Sequence, residues 1–504
     1  MDQDSKFPDS RFDARNNGTK NIYDPDLTRP RVGGTDELNV PLLSHTTEKK
    51  LTAKIDLRVI PVLSVMYLLA FLDRTNIANA AVYGLQKDLG LAAGSNQYNT
   101  ALTIFFVPYI LFEIPSNVIL KKVTPRFWLS GCMFMFGVVT VCQGLVRNYS
   151  GLLATRFFLG VFETGMFPGA FYLIGMWYRR AQAQKRYSFF SSSTTLAGAF
   201  GGLLASAIGK MNGLRGYLAW RWIFILEGTL TSLVAILFLF LIPSFPEDAK
   251  WLTGEERAYI KARLQQDQGR SAVKRKIRVR DVGNVFTDYK IFVGGFMYLG
   301  LIVPAYGYAF FAPGIISGYG YSPIQTQLHS VPPWAAAFGF AMIIAYLSDK
   351  ARHRFLFAIF PICVSIAGFA ILLTVHKNRN LEYAALFLIT MGTYSALPVT
   401  VCWFTQNLGG HHRRAVGTAY QIGFGNIGGI IATYAFLAKD KPYNIPGYAI
   451  CIGFAALSGL SCLIYALSIW MQNRNRERSP KDLGLTEYEE TELGDLSSEY
   501  RYLL

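Results

Sequence analysis

Charged side chains are scarce in this chain. Asp, Glu, Lys and Arg make up 16% of its 504 residues, against about a quarter in soluble domains. That shortage excludes a soluble multidomain enzyme, because a water-facing surface for this length needs more polar area. Cysteine is sparse too. Cys132, Cys142, Cys363, Cys402, Cys451 and Cys462 lie in apolar stretches and form no CxxC pair, which excludes a disulfide framework and leaves them as small buried hydrophobes. No GxxxxGK[ST] run is present, so ATP-driven pumping lacks its phosphate cradle. The start of the chain lacks the basic n-region and short apolar core of a cleavable signal peptide; residues 1–53 read as a disordered cytosolic tail. What is abundant is apolar: 51% of the chain, with 37 Phe, 28 Tyr and 46 Gly.

Crossing a bilayer takes about 20 mostly apolar residues in a helix. That rule predicts spans near 57–81, 98–119, 127–146, 151–176, 188–209 and 220–242, then 289–311, 326–347, 355–375, 382–404, 415–437 and 447–471. The sequence thus predicts an all-α membrane protein with a six-helix bundle over 54–243 and a second over 288–472. The apolar runs show no period-two alternation, so a β-barrel is excluded. Basic residues accumulate on one side, at Lys121, Lys122 and Arg126, at Arg179, Arg180, Lys185 and Arg186, and at Lys350, Arg352 and Arg354. The formal charge is +16, and the connecting segment 244–287 holds ten Lys/Arg, including the run Lys274 to Arg280. The positive-inside rule places that segment and both termini in the cytosol. The run reads as a contact with anionic lipid headgroups rather than with nucleic acid. Apolar residues at helical spacing from Trp251 to Leu264 predict an amphipathic helix along the membrane surface. Residues 473–504 read as a solvated acidic tail.

The two halves repeat. Gly198-Ala-Phe-Gly201-Gly202-Leu-Leu-Ala205-Ser206 in span five matches Gly425-Asn-Ile-Gly428-Gly429-Ile-Ile-Ala432-Thr433 in span eleven at a constant offset of 227. Lys121 and Lys350 lie 229 apart, and Pro168 and Pro398 lie 230 apart. Such small-residue stripes let helices approach closely, and landmarks in the same order make the halves parallel repeats. With Ala345-Tyr-Leu-Ser-Asp349-Lys350-Ala-Arg352-His-Arg354 after span eight, the chain resembles the major facilitator superfamily. The fold implied is twelve helices in two six-helix bundles, with Asp349, Lys350 and Arg354 and the paired glycines Gly201, Gly202, Gly428 and Gly429 serving conformational change. The loop after span two departs from that signature, with Leu120 where an acid is expected.

Intramembrane charge is costly and marks function by default. It is confined to the first half: Asp73, Arg74, Glu113, Arg156, Glu163 and Glu227. Adjacent helical residues point about 100° apart, so Asp73 and Arg74 do not simply cancel. Arg74 is suited to hold a carboxylate bidentately. Arg156 and Glu163 are two turns apart on one face, with Gly160 between them. Glu113 reads equally as a helix-locking hydrogen bond or as a proton group, and Glu227 as the structural partner of Arg221. The second half offers Tyr306, Tyr308, Tyr394, Ser395 and Asn426, a neutral polar and aromatic lining. His411-His412 lack a His/Glu cluster at metal spacing, so no metal is expected.

Together, Asp73-Arg74-x-Asn76, Arg156-x6-Glu163 with Pro168, and Gln327-Leu-His-Ser-Val-Pro332-Pro333-Trp334 resemble the anion:cation symporter family. The nearest branch is the fungal allantoate permeases, which include nicotinate, pantothenate and biotin carriers; the likeness runs from about Lys54 to Trp470. It implies proton-driven uptake of a small carboxylate. Arg74, Asn76, Tyr109, Arg156, Tyr306, Tyr394, Ser395 and Asn426 would meet the substrate, and Asp73, Glu163 and Glu113 would handle the proton. The proton gradient would be the driving force, with no cofactor and no enzymatic activity. Partners would be the anion, protons and membrane lipids, around a monomer in the plasma membrane. Efflux of an acidic metabolite and a transporter-shaped nutrient sensor are the alternatives. Asn148-Tyr-Ser150 matches a glycosylation pattern but lies almost against span four.

Overall fold

The computed structural model describes residues 46–504 except 93, 179, 244, 247–248, 269–282, 284, 352, 410 and 479–500. The described residues form helices and no strand. In the first half these are α1 (Glu48–Val82), α2 (Gln97–Lys122), α3 (Pro125–Leu145), α4 (Tyr149–Glu163), α5 (Met166–Trp177), α6 (Arg180–Ile208) and α7 (Ala219–Leu241). A connecting helix α8 (Gly254–Gln268) follows. The second half has α9 (Tyr289–Ser317), α10 (Pro323–Ala351), α11 (Arg354–Thr374), α12 (Arg379–Gln406), α13 (His411–Ala435) and α14 (Ile445–Arg478).

Counting α4 and α5 as one crossing, nine of these are long and apolar enough to span a bilayer. The remaining three expected spans are α2, α6 and α13. Each packs across the junction between the halves, α2 on α13 and α6 on α10 and α12. The outward faces are apolar instead, as in α7, where Leu233, Ile236, Leu237 and Phe240 are exposed. Helices suit this setting because they satisfy their backbone polar groups internally.

Close helix approach rests on glycine at a few positions. A Cβ on Gly228 of α7 would lie 2.7 Å from the Gly137 carbonyl of α3. Gly202 and Gly429 occupy equivalent repeat positions and do equivalent work. The former abuts Ser330 and the Gln327 carbonyl of α10 across the junction, and the latter abuts the Phe106 ring of α2, again across it. Gly428 instead faces α9 within its own half, and Gly201 has only Asn79 at 3.5 Å and Asn76 at 4.0 Å. Two of the four glycines expected to serve gating therefore face the partner half.

Several sequence boundaries shift. Span four runs from Tyr149 to Trp177, with its hydrogen-bond ladder interrupted at Thr164-Gly165, where both residues keep helical backbone angles; there the Thr164 hydroxyl donates to the Tyr109 carbonyl (2.7 Å) and Gly165 sits against Ser116 and Trp128. Helix α1 begins at Glu48, so residues 48–53 are not a disordered tail. They are held by α8: Glu48 pairs with Arg263, and Lys54 lies 2.8 Å from Glu256. The amphipathic helix is present, but its apolar face covers the first bundle. Leu252 and Ile260 are buried, and Trp251 stacks on Trp177 at 5.3 Å. Asn148 caps α4 by accepting from the Gly151 amide (2.8 Å). The basic run 274–280, the acidic stretch 487–499 and residues 1–45 lie outside the described residues.

The last residues of the chain are docked on the second half. The Leu503 carbonyl accepts from Trp403 Nε1 (2.8 Å) and Asn407 Nδ2 (2.9 Å), and its amide donates to Asn407 Oδ1 (2.8 Å). Lys290 Nζ donates to the Tyr502 hydroxyl at 2.8 Å. Residues 502–504 thus fill a cleft among α9, α11, α12 and α14. Beside it, Arg354 donates to Asp349 Oδ1 (2.6 Å) and Ser348 Oγ (2.8 Å), stapling α10 to α11 inside the second half.

Candidate substrate site

Arg74 stands at the junction of the halves, 3% exposed. Its Nε donates to Glu163 Oε1 of α4 at 2.9 Å; its Nη2 donates to the same oxygen, and its Nη1 to the Tyr306 hydroxyl of α9. The guanidinium lies over the rings of Phe105 and Tyr109, each 5.0 Å from the centroid. One cation is therefore tied to an acid of the first half and a phenol of the second. The second carboxylate oxygen of Glu163 has no hydrogen-bond partner among the described residues.

The wall opposite Glu163 is aromatic. Tyr306 stacks on Phe310 at 5.5 Å and meets Phe106 edge-on at 5.0 Å. Trp334 is ringed by Tyr394 (4.7 Å), Tyr308 (5.3 Å) and Phe71 (6.4 Å). The Tyr394 hydroxyl is engaged by the Ala305 carbonyl at 2.9 Å, whereas the Ser395 and Tyr308 hydroxyls have no partner among the described residues. At one end of this layer Asn426 donates to Glu113 across the α2–α13 contact. On the other side Asn99 donates to the carbonyls of Thr433 (2.5 Å) and Phe436 (2.9 Å). Thr103 meets Thr433 at 2.6 Å.

The remaining charged residues are placed as follows. Arg156 shares the Phe105 ring with Arg74, and its Nη2 has no hydrogen-bond partner among the described residues. It is fully buried, and donates to the Ala101 carbonyl and the Arg74 carbonyl, each at 3.2 Å, so it clamps α4 to α1 and α2. Asn76 and Asp73 point the other way from Arg74, toward α7. Asn76 Nδ2 donates to Glu227, and Asp73 lies beside Thr231. Arg221 is not the partner of Glu227. It pairs with Asp88 at 2.8 Å and donates to the Val146 carbonyl at 2.6 Å. The reason is the 100° step per helical residue: Asp73 and Arg74 project from different faces of α1, and α1 has a different neighbour on each.

Sequence reasoning did not single out Phe105, Phe106, Phe310 or Tyr67 for the site. Tyr67 was the most findable, lying two turns before Arg74 on one face of α1 and within electrostatic reach of it. No pattern marks the phenylalanines among 37 in the chain.

Known proteins resemble this arrangement over most of its length. The sequence profile of the Major Facilitator Superfamily matches residues 63–433. The MFS-type transporter cnsO of Penicillium expansum is 31% identical over 481 residues, covering 92% of each chain. The major facilitator-type transporter hxnP of Emericella nidulans is 30% identical and covers 94% of this chain and 96% of its own. Among solved structures, a bacterial homologue of the human lysosomal transporter Spinster, inward-facing and occupied, superposes with a TM-score of 0.60 at 15% identity. It covers 84% of this chain and 97% of that one. Profile, relatives and helix arrangement agree, and the chain belongs to the major facilitator superfamily as a multi-pass membrane transporter.

Proposed function

We propose that this transporter is a proton-coupled symporter of a small organic carboxylate, of the anion:cation symporter type, working by alternating access. The observation that carries the reading is the engagement of Arg74 by Glu163 on one side and Tyr306 on the other. A substrate carboxylate competes with Glu163 for the same guanidinium fork. A proton on Glu163 removes the competitor, so anion and proton load together. Because Tyr306 belongs to the other half, anion binding at Arg74 acts where the halves must separate. Arginine in this place favours an anion, and the surrounding rings favour a flat or apolar body such as a nicotinate-like acid. The protein works as a monomer in the plasma membrane with both termini in the cytosol.

The test is uptake in a transport-deficient yeast strain, with small carboxylates and ureides as competitors. Arg74→Lys keeps the charge but loses the planar fork. Transport of the accepted carboxylate is expected to fall at least about a hundredfold, the equivalent of two lost charge-assisted hydrogen bonds at about 1.5–3 kcal/mol each. Wild-type uptake by that variant would refute the assignment, as would acceptance of cations in place of anions.

A further inference from the structure

A second acidic site lies within the first half, behind the Arg74 layer. Asp73 of α1 and Glu227 of α7 are 1% and 2% exposed and face one another across the α1–α7 contact. Neither oxygen of Asp73 has a hydrogen-bond partner among the described residues, and Oε1 of Glu227 has none. The hydroxyl of Thr231, fully buried one turn beyond Glu227, lies next to Asp73 without forming a hydrogen bond of ordinary geometry. Among the described residues the donor that reaches the cluster is Asn76 Nδ2, on the other oxygen of Glu227.

Among the described residues no cation pairs with either carboxylate of this pair. Arg74 leaves α1 on a different face and is engaged by Glu163 and Tyr306. Arg156 of α4 donates to backbone carbonyls. The other charged residues on the packed helices stand toward their ends: Arg126 of α3 on the Leu239 carbonyl, Arg186 of α6 on Asp56, and Arg221 of α7 on Asp88. The further titratable group facing the pair is Glu163, on the Asp73 side, and it is also acidic. Two adjacent carboxylates in a dry seam cannot both stay ionised without compensation. A carboxylic acid supplies one O–H donor, and the cluster holds four oxygens that lack one.

We propose that Asp73 and Glu227 together bind one exchangeable proton, and that Glu227 is a coupling residue of the transport cycle at a site separate from the substrate's guanidinium. This rests on the symport reading above and extends it to a residue that does not touch substrate. The proton enters from the aqueous side and bridges the two carboxylates; no other bond is made or broken. Its occupancy has a route to the moving parts. Glu227 accepts from Asn76, Asn76 Oδ1 accepts from Asn79 Nδ2 at 3.2 Å, and the Asn79 carbonyl accepts from Gln327 of α10 at 3.5 Å. That chain crosses from α7 through α1 to the second half, beside the Gly202–Ser330 contact. Deprotonation leaves two like charges pushing α1 from α7, a strain that the closed contact with α10 feels.

Infrared difference spectroscopy of the full-length protein in liposomes, titrated with pH, reads the proton without needing a substrate. The protonated-carboxyl band of wild type is expected to lose the same component in both Glu227→Gln and Asp73→Asn, since one proton is shared, while the component that Glu163→Gln removes stays. Glu227→Asp keeps the acid and retains the band, which separates proton loss from misfolding. In parallel, Glu227→Gln is expected to lower pH-gradient-driven accumulation of the carboxylate found in the yeast screen at least tenfold while counterflow exchange persists. Retention of the full band, or of wild-type accumulation, in Glu227→Gln overturns the proposal. A wild type whose accumulation ignores the pH gradient, with the band still present, refutes symport itself and the coupling role that depends on it.

Discussion

Glu163→Gln is the sharpest perturbation of the substrate layer, because it copies the protonated acid in shape and charge. In the structure Glu163 Oε1 takes two N–H bonds from Arg74, with the two side chains 4% and 1% exposed. Removing one member of such a buried pair costs about 3–5 kcal/mol when the other charge is stranded. The amide oxygen keeps an acceptor for one neutral bond, which returns about 1 kcal/mol. Arg74 is then left short by roughly 2–4 kcal/mol, and an incoming carboxylate supplies what is missing. In wild type at alkaline pH the substrate must displace Glu163; in the variant it need not. The half-saturation concentration for counterflow at alkaline pH is therefore expected to fall by at least tenfold, since about 1.4 kcal/mol is a factor of ten. Its dependence on pH should flatten, and accumulation driven by a pH gradient should vanish. Counterflow measured across a pH series in proteoliposomes, beside gradient-driven uptake, reads both. A variant that still concentrates substrate on a proton gradient, or whose half-saturation keeps the wild-type pH dependence, would refute the competition between Glu163 and substrate for Arg74.

The junction, the docked end of the chain and the α1–α8 contact each give a measurable outcome. Gly202→Val should impair transport strongly, because a Cβ there already meets Ser330 Oγ at 2.6 Å and the Gln327 carbonyl at 2.9 Å, whereas Gly201→Ala, with Asn79 at 3.5 Å, should transport normally; equal effects would refute the seam geometry. Deleting residues 501–504 removes three hydrogen bonds to Leu503 and the hydroxyl that holds the buried Lys290. At about 1 kcal/mol net each, partly offset by the regained freedom of the tail, the melting temperature should drop by several degrees in a thermal-shift assay. An unchanged melting temperature would mean the docked tail contributes nothing. Glu256 is titrated differently from an exposed acid: burial opposes its charge, but Lys54 and Thr253 more than offset this and hold its carboxyl below the usual range. A depressed folded-state value stabilises above the unfolded pKa and is lost as pH falls through the folded one. Wild type and Glu256→Gln should therefore differ in melting temperature near neutrality and converge in strong acid; a difference that persists there would count against the Lys54 pair.

Much of this protein was fixed by composition and periodicity alone. A chain with so few charges and so many apolar residues has to hide its backbone in helices, and length sets how many crossings fit. The offset of 227 between the glycine motifs reported a real equivalence, visible in Gly202 and Gly429 each meeting the opposite half. The intramembrane charges were also legible, because cost alone singles them out. Their partners were not. Arg74 reaches Glu163, 89 positions away, rather than Asp73 beside it, and Asn76 reaches Glu227 across 151 positions. Which helix stands on which face of α1 is a packing outcome that no local pattern encodes. The same holds for the interrupted ladder at Thr164-Gly165, which depends on a carbonyl of α2, and for the last residues of the chain, whose cleft is built by four helices distant in sequence. The sequence by itself determined that this is a membrane carrier and that its unusual charges sit in one half. The tertiary structure decided which of them share a site, since a helix offers a new face every 100° and only its neighbours settle what each face meets.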